Sequence, residues 1–217
     1  MPLRRSSLPR HAHHAVILYG GGDHALAVWE ILQLLGIPCE GFFDDGEGPF
    51  TLPAELYLGP YSPDVLPTVP VLLAMTDNTI RRNLSLRVRH PFASPVVHPR
   101  AYVSPSASVA EGTVVLAGAV VHSRARVGAH TIVNTGAVVE HFAEVGSFCH
   151  LSPGVVVGCR SRVGDSCFIG TGAILVPKAS IGEGCIIGAG SLVLKDLPPF
   201  TRAWGHPAKP QSQAPLP

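Results

Sequence analysis

The chain has 217 residues, of which 46% are hydrophobic and only 14% are charged. Sixteen lysines and arginines nearly balance 15 aspartates and glutamates, which argues against nucleic acid or an anionic membrane as the main partner. No apolar run reaches the roughly 18 residues that a membrane-spanning helix needs. Aromatic residues make up only 6% beside 23 glycines and 21 prolines, so we expect a core of small aliphatic side chains.

The first 14 residues contain three arginines but no apolar stretch behind them. We therefore expect residues 1–14 to form a disordered arm, not a signal peptide. The five cysteines are an odd number and are scattered along the chain, which favours a reducing cytoplasm over an oxidising compartment. The sequence thus predicts a cytoplasmic protein.

The ordered part is predicted to begin with a Rossmann-like α/β domain over residues 15–95. The expected elements are a buried strand over 15–19, a glycine turn, a helix over 25–35, a strand over 39–43, a strand over 69–75 and a helix over 78–88. The second strand leads directly into Asp44 and Asp45. This order places the glycine turn and the two acids at the carboxyl ends of neighbouring strands.

The glycine turn permits three interpretations. Gly20, Gly22 and Ala25 satisfy the G-x-G-x-x-A pattern of a dinucleotide site, with acidic residues about 20 positions further on. Only one mononucleotide-sized half precedes the next domain, however, and a dinucleotide needs two. A tight turn without a ligand is the second interpretation. We favour a nucleotide or nucleotide-sugar, because free N–H groups at a helix N-terminus bind phosphate and Asp44 and Asp45 can accept from a ribose or base.

From residue 97 onward every sixth residue is aliphatic. The 17 positions are Val97, Val103, Val109, Val115, Val121, Val127, Val133, Val139, Val145, Leu151, Val157, Val163, Ile169, Leu175, Ile181, Ile187 and Val193. A period of six is typical of a hexapeptide parallel β-helix, in which three hexads complete a triangular coil. We predict this β-helix over residues 96–198, followed by a tail over 199–217.

Two further features follow the same period. A small residue stands four positions after each aliphatic one, and glycine often follows the aliphatic residue directly, where we expect it to adopt backbone conformations that other residues resist. Cys149, Cys167 and Cys185 lie in the small-residue column, one per coil. A metal or redox ladder is one interpretation of these cysteines, and we favour slim core residues.

Three motifs joined to the β-helix resemble a known family. They are Tyr-Gly-Gly-Gly-Asp-His at 19–24, Phe-Phe-Asp-Asp at 42–45 and Trp-Gly-His-Pro-Ala-Lys at 204–209. Over about residues 15–209 the chain resembles the sialic-acid O-acetyltransferase and bacterial nucleotide-amino-sugar N-acetyltransferase family. The resemblance implies a left-handed β-helix that binds acetyl-CoA and an N-terminal domain that binds a UDP- or GDP-4-amino-sugar. The implied sugar-nucleotide contacts are Gly22, Asp23, His24, Asp44, Asp45 and Thr76.

Acetyl transfer needs a base for the attacking amine or hydroxyl and a donor for the thioester oxygen. His141 and His150 match the family's catalytic and acetyl-CoA-contacting histidines, and histidine suits the base role because its pKa lies near neutrality. We expect His141 to be the base. His150, or a backbone N–H near Gly158 and Cys159, is the expected carbonyl partner. The resemblance further implies CoA near Thr171 and Ala189, direct attack without an acyl-enzyme, and no metal; we expect His98, His122 and His130 on the surface.

Three residues depart from the family pattern. Phe142 follows the catalytic histidine in place of the usual acid, Cys159 replaces the glycine near the thioester, and Thr76 replaces a glycine at the end of the third strand. Glu140 and Glu144 are the candidates to replace the acid. Alternation along a strand, however, predicts that a neighbour of His141 points to the other face.

Two other functions stay open beside acetyl transfer. Zinc carbonic anhydrases also use hexapeptide β-helices, but they resemble a pattern of two histidines five residues apart, which this repeat lacks. A non-catalytic nucleotide-sugar-binding scaffold is the second alternative, and Phe142 motivates it. The sugar, the nucleotide and the choice of N- or O-acetylation also stay open.

The spacing of the two histidines predicts the assembly. His141 and His150 are nine residues apart, which is half of an 18-residue coil. They therefore lie on opposite sides of one prism and cannot serve one acetyl group within one chain. We expect a homotrimer with three active sites at its interfaces, as the resemblance also implies.

Overall fold

The structure is a computed structural model that describes residues 15–211. The predicted arm, residues 1–14, and the last part of the predicted tail lie outside the described residues. Within 15–211 no helix is both long enough and apolar enough to cross a membrane.

A small α/β unit comes first. Its elements are the strands β1 (Val16–Tyr19), β2 (Cys39–Phe43) and β3 (Val71–Leu73), the helices α1 (Asp23–Leu35) and α2 (Asn78–Ser85), and a 3₁₀ turn (Ala54–Leu56). The three strands are parallel, in the order β2-β1-β3. The central strand β1 is a continuous apolar run that is buried on both faces, as expected for a parallel strand.

Capping residues set the ends of the two helices. Gly36 ends α1 at the predicted place, in the left-handed conformation (φ 66°) with its N–H bonded to the Gln33 carbonyl. Asp77 caps α2, its carboxylate accepting from the Ile80 N–H at 2.8 Å. The helix α1 begins two residues before its predicted start, and α2 ends three residues before its predicted end.

A triangular β-solenoid follows. Its 17 two-residue strands, β4 to β20, are Val96–Val97, Tyr102–Val103, Ser108–Val109, Val114–Val115, Val120–Val121, Arg126–Val127, Ile132–Val133, Val138–Val139, Glu144–Val145, His150–Leu151, Val156–Val157, Arg162–Val163, Phe168–Ile169, Ile174–Leu175, Ser180–Ile181, Ile186–Ile187 and Leu192–Val193. Each strand pairs in parallel with those 18 residues away, as His150 does with Ile132 and Phe168. The predicted period is confirmed, and three strands per turn give nearly six turns.

The three faces of the solenoid differ in what they present outward. The first face contains β4, β7, β10, β13, β16 and β19, the second β5, β8, β11, β14, β17 and β20, and the third β6, β9, β12, β15 and β18. The hairpin of β21 (Arg202–Gly205) and β22 (Ala208–Pro210) extends the first face. Helix α1 packs on the start of the first face, where Val96, Val114 and Ile132 share its apolar core. The third face carries charged residues, whereas the second presents aliphatic ones.

The inward columns are as predicted. From Val115 to Val193 every sixth-position aliphatic side chain is at most 4% exposed. The prediction that Cys149, Cys167 and Cys185 are slim core residues is confirmed, since all three are completely buried. Their thiols donate to carbonyl oxygens of the next coil at 3.1–3.2 Å.

The predicted reason for the glycines that follow the aliphatic residues was wrong. A Cβ on Gly128 would lie 2.5 Å from the carbonyl carbon of Gly146, and one on Gly164 would lie 2.4 Å from the Glu183 nitrogen. The next coil therefore excludes a side chain, because neighbouring strands are only about 4.8 Å apart. Left-handed backbone occurs two positions later, at the corners, for example at Gly136 (φ 66°).

Arg81 of α2 joins the α/β unit to the solenoid. It is completely buried, and its guanidinium donates to the carbonyl oxygens of Met75, Thr76, His130, Phe148 and Cys149 and to the Asn78 side chain, at 2.7–3.2 Å. Burial lowers the pKa of Arg81 to about 10, and the guanidinium stays charged at neutral pH. Because a buried charge is tolerated only when fully hydrogen-bonded, this contact fixes the orientation of the two units.

Candidate active site

A cleft of about 500 Å³ lies at the N-terminus of α1. It is lined by all six predicted sugar-nucleotide contacts: Gly22, Asp23, His24, Asp44, Asp45 and Thr76. The structure brings these residues together because β1, β2 and β3 end at the same edge of one parallel sheet. Gly20 turns the chain there with φ 118°, and a Cβ on Gly22 would meet no atom within 4 Å, so the cleft side of Gly22 is open.

The two aspartates at the end of β2 have different partners. Asp44 accepts from the N–H groups of Gly21 and Gly46, both at 2.8 Å, and so holds the glycine turn against the sheet. Asp45 accepts from the Tyr19 hydroxyl at 2.7 Å and from the Tyr61 N–H at 3.0 Å. Burial raises the pKa of Asp45, but these hydrogen bonds and the Arg87 charge outweigh it, and the pKa lies below its usual range.

Two histidines, the half-buried His24 of the cleft and the buried His150 of the solenoid, have strongly lowered pKa values. Burial, the proximity of His150 and the Arg81 charge lower the pKa of His24 to about 4. Burial and the Arg81 charge lower the pKa of His150 to about 4. Both imidazoles are therefore neutral at physiological pH. His150 lies at the start of β13 on the first face, with its Nε2 3.2 Å from the Asn134 amide. It lines a second cavity of about 750 Å³ that shares Thr76 with the first.

His141 lies at the corner between the second and third faces, two residues after strand β11. Its Nδ1 is 3.1 Å from the Glu140 carboxylate, and its Nε2 is 3.0 Å from the Cys159 thiol. The side chain of His141 is 51% exposed. His141 thus has an acidic partner on one ring nitrogen and a thiol on the other.

The expectation that a neighbour of His141 points away from it was wrong. Strand β11 ends at Val139, so Glu140 and His141 belong to the corner, where strand alternation no longer applies. Glu144, the other candidate acid, pairs with Arg126 and Arg162 on the third face. Glu140 is therefore the acidic partner of His141, which Phe142 cannot be.

Glu140 is ionised at neutral pH. Partial burial raises the pKa of its carboxyl, but hydrogen bonds from the His141 side chain and N–H, and the proximity of His122, outweigh that effect and hold the pKa below its usual range. A carboxylate only accepts hydrogen bonds, so it fixes the proton of neutral His141 on Nδ1. The lone pair of Nε2 then faces the Cys159 thiol, 3.0 Å away.

Of the expected carbonyl partners, one is occupied and another lies on a different face. The Gly158 N–H donates to the Leu175 carbonyl at 3.0 Å within the ladder of the second face, and His150 lies on the first face, away from His141. The Cys159 N–H has no hydrogen-bond partner within residues 15–211. It is therefore a backbone donor close to His141 that is not used within this part of the chain.

Thr171 and Ala189 lie elsewhere on the prism. Both are exposed and stack in successive coils at the corner between the first and second faces. The corner with His141 and Cys159 is at the other edge of the second face. Within one chain the structure therefore does not bring the two groups together.

The second face between these corners is apolar on its outside. Its outward side chains are Tyr102, Val120, Val138, Val156, Ile174 and Leu192, of which Tyr102 is 52% and Ile174 39% exposed. A continuous apolar strip on a protein surface is typical of an interaction site.

Phe142 occupies a left-handed corner position with φ 60°. Its ring is stacked between two cations: the guanidinium carbons of Arg160 and Arg124 are 4.4 Å and 5.7 Å from the ring centroid. Phe142 therefore positions two arginines beside the corner of His141.

The sequence misplaced one important residue and did not reveal another. His130 was expected on the surface, but it is 4% exposed, between Phe92 and Phe148, and burial lowers its pKa to about 4. Arg81 was missed because nothing distinguishes it from Arg82 in the sequence. Glu140 was a candidate acid, and its contact with His141 could have been expected by noting that the corner begins directly after Val139. Among residues 15–211, no group of three or more histidine, cysteine or acidic side chains is arranged to hold a metal ion.

Comparison with known proteins identifies relatives over almost the whole chain. The bacterial transferase hexapeptide family (six repeats) matches residues 160–195, and no curated protein matches the chain. A variant of perosamine N-acetyltransferase from Caulobacter crescentus in complex with CoA and GDP-perosamine is 32% identical; the match covers 92% of this chain and 97% of that chain, with a TM-score of 0.83. The acetyltransferase domain of PglB from Neisseria gonorrhoeae FA1090 in complex with acetyl coenzyme A is 31% identical, over 92% and 99% of the two chains, with a TM-score of 0.83.

WeeI from Acinetobacter baumannii AYE has the same fold at 23% identity, with a TM-score of 0.79 over 91% of this chain and all of that one. The two relatives above 30% identity are matched over nearly their full length, and the resemblance of the motifs is thereby confirmed. The chain belongs to the hexapeptide-repeat, left-handed β-helix acyltransferases, in the family of the bacterial nucleotide-amino-sugar N-acetyltransferases.

Proposed function

We propose that this protein transfers the acetyl group of acetyl-CoA to the amine of a UDP- or GDP-linked amino sugar, with an acceptor hydroxyl as the less favoured alternative. The observation that carries the proposal is the match to 97% of a perosamine N-acetyltransferase that holds CoA and GDP-perosamine. The acetyltransferase domain of PglB, which holds acetyl coenzyme A, supports the same donor.

The sugar nucleotide is proposed to bind in the cleft of the α/β unit, a Rossmann-like domain on this proposal. The residues at the N-terminus of α1 line the cleft, and a helix N-terminus attracts phosphate. Gly22 leaves room for the diphosphate, and Asp44 and Asp45 can accept from the ribose or base. Thr76 joins this cleft to the cavity of His150, which gives the sugar a path toward the solenoid.

His141 is proposed to be the general base. Glu140 holds its proton on Nδ1 and stabilises the imidazolium that forms when Nε2 accepts a proton. The scaffold alternative was motivated by Phe142, which follows His141 at the position where the family usually has an acid. Since Glu140 supplies that acid in the structure, the motivation is lost.

A homotrimer is proposed to complete the site. The second face presents an apolar strip, and the proposed CoA residues Thr171 and Ala189 lie across this face from His141. A second copy packed on this strip brings its Thr171 corner to the His141 corner of its neighbour, and three copies close the ring. Mixing inactive His141→Ala and His150→Ala chains under exchange conditions should restore some activity, provided that His150 contributes to the rate.

The test of the proposed function is acetyl transfer to GDP-perosamine and to a UDP-4-amino-sugar, measured by release of free CoA. His141→Asn should lower kcat by about 10²–10⁴, the usual contribution of a general base, and should leave acetyl-CoA binding unchanged. His98→Asn, at a corner far from Glu140, is the matched control and should keep full activity. Near-wild-type turnover of His141→Asn would remove this residue from the mechanism.

A further inference from the structure

The cleft of the α/β unit and the cavity of His150 meet at a single residue. Among the described residues, Thr76 alone lines both cavities. Met75, which precedes it, lines the cleft as well. On the proposed function the nucleotide is held in the cleft, and the sugar passes Thr76 on its way to the solenoid. The position of the reacting amine therefore depends on where Thr76 lies relative to the strand of His150.

Arg81 makes hydrogen bonds to both sides of this junction. Its Nη1 donates to the carbonyl oxygens of Met75 and Thr76, at 2.9 Å and 3.2 Å. Its Nη2 donates to the carbonyl oxygens of Phe148 and Cys149, both at 3.1 Å, and these two residues directly precede strand β13. One planar guanidinium thus joins the wall of the cleft to the start of β13.

Further contacts hold the guanidinium in one orientation. Its Nε donates to the His130 carbonyl oxygen at 2.7 Å, in the coil before β13. The side-chain oxygen of Asn78 accepts from Nη2 at 2.7 Å, and the side-chain amide of Asn78 donates to the Cys167 carbonyl oxygen at 3.0 Å, in the coil after β13. Arg81 and Asn78 are therefore fixed to three successive coils of the solenoid.

Arg81 influences the reaction only through the groups that it holds, because its side chain is completely buried and cannot touch a substrate. Its replacement leaves buried carbonyl oxygens without donors, and a lysine cannot supply the planar fork of five N–H groups. The end of the cleft and the chain before β13 are then free to shift relative to each other.

We propose that Arg81 is a positioning residue for acetyl transfer, which sets the place of the sugar-nucleotide cleft relative to β13 and the acetyl donor. The inference rests on the proposed function and adds to it a residue that contacts neither substrate. The proposed sugar-nucleotide residues all belong to the α/β unit and the proposed CoA residues all belong to the solenoid, so each site keeps its own contacts when Arg81 is replaced. A misplacement of about 1 Å, by contrast, can lower the rate of a transfer about 10²-fold.

The experiment separates binding from turnover in Arg81→Lys, with Arg81→Gln assayed beside it. The full chains are compared at a temperature at which thermal unfolding shows each of them to be folded. We expect kcat with GDP-perosamine and with a UDP-4-amino-sugar to fall about 10²-fold. The dissociation constants of the sugar nucleotide and of CoA, measured by calorimetry, should change by less than about threefold.

Two controls distinguish positioning from a general loss of stability. Ile181→Ala truncates a buried side chain of β18 on the third face, and it should lower the free energy of unfolding as other core truncations do while keeping kcat. Arg100→Lys makes the same replacement at an exposed residue, and it should keep both kcat and stability.

A kcat of Arg81→Lys equal to that of Ile181→Ala would overturn the inference. A loss of sugar-nucleotide binding of about tenfold or more would do the same, because Arg81 would then support the cleft itself and not its placement. A wild type that acetylates neither sugar would contradict only the proposed acceptors. In that case crystal structures of the wild type and Arg81→Lys, in one crystal form, decide the matter: the distance between Thr76 and β13 should change by about 1 Å, and an unchanged distance would refute the positioning role.

Discussion

Acid should destabilise this protein through three neutral histidines, His24, His130 and His150, and the structure gives the size of the effect. His130 and His150 are 4% and 6% exposed, and burial together with the Arg81 charge lowers the pKa of each to about 4 from 6.5. Burial, the proximity of His150 and the Arg81 charge lower the pKa of His24 to about 4 as well. Between pH 6.5 and 4 the unfolded chain therefore binds more protons than the folded one. Stability is constant above about pH 6.5 and falls as the pH falls through this range.

The magnitude follows from the pKa difference. A shift of one pKa unit corresponds to about 1.4 kcal/mol, so each histidine costs up to about 3 kcal/mol of unfolding free energy by pH 4. Three such groups would remove up to about 9 kcal/mol, comparable with the whole stability of many domains, which is roughly 5–15 kcal/mol. We expect the urea midpoint to be flat from pH 8 to 7 and to drop steeply below pH 6.

His130→Phe tests this reasoning. The ring of Phe can stack on Phe148 as the imidazole does, and Phe142 already occupies the equivalent left-handed corner position. The variant should lose about a third of the acid sensitivity, measured by urea unfolding at pH 7.5 and 4.5, whereas the exposed His206→Gln should lose none. An unchanged pH dependence in His130→Phe would refute the assignment of the effect to buried histidines.

Three further substitutions test other contacts. Gly22→Ala should fold like the wild type, because its Cβ would meet no atom within 4 Å, but should weaken sugar-nucleotide binding about tenfold in calorimetry. Val156→Arg on the second face should reduce the mass in light scattering from three chains to one and abolish activity, whereas Ser180→Arg on the charged third face should leave the mass unchanged. Arg81→Lys leaves only three N–H donors for carbonyl oxygens that now accept from a planar guanidinium. The variant should lower the free energy of unfolding, measured in urea, by about 2–4 kcal/mol, which is more than the loss of an exposed contact would cost.

The solenoid could be predicted from the sequence almost completely, because its strands repeat every six residues along the chain. Once Val133 is inward, Leu151 and Ile169 must be inward as well, since each lies one coil further. The proximity of the glycine turn to the acids after β2 was equally predictable, because parallel strands bring their carboxyl ends together. Local patterns that repeat along the chain thus predict both the fold and the cleft.

Contacts that depend on the conformation of a corner or on packing between the two units could not be predicted in this way. The contact of Glu140 with His141 depends on a strand that stops at Val139, and strand alternation predicted the opposite. Arg81 is buried because α2 docks on the solenoid, and its position in the sequence does not distinguish it from Arg82. The contact of Cys159 with His141 follows from the period, but its distance needed the structure.

The 18-residue coil also restricts how the length of this protein can change. Each coil touches only the coils beside it, as in other solenoids, so a complete coil can be added or removed without disturbing the rest. An insertion of a single hexad before residue 171 would instead rotate everything after it by one face. Thr171 and Ala189 would then lie at the corner now held by His141, and the hairpin of β21 and β22 would leave the first face. Variation in length should therefore occur in steps of 18 residues, and never in steps of six.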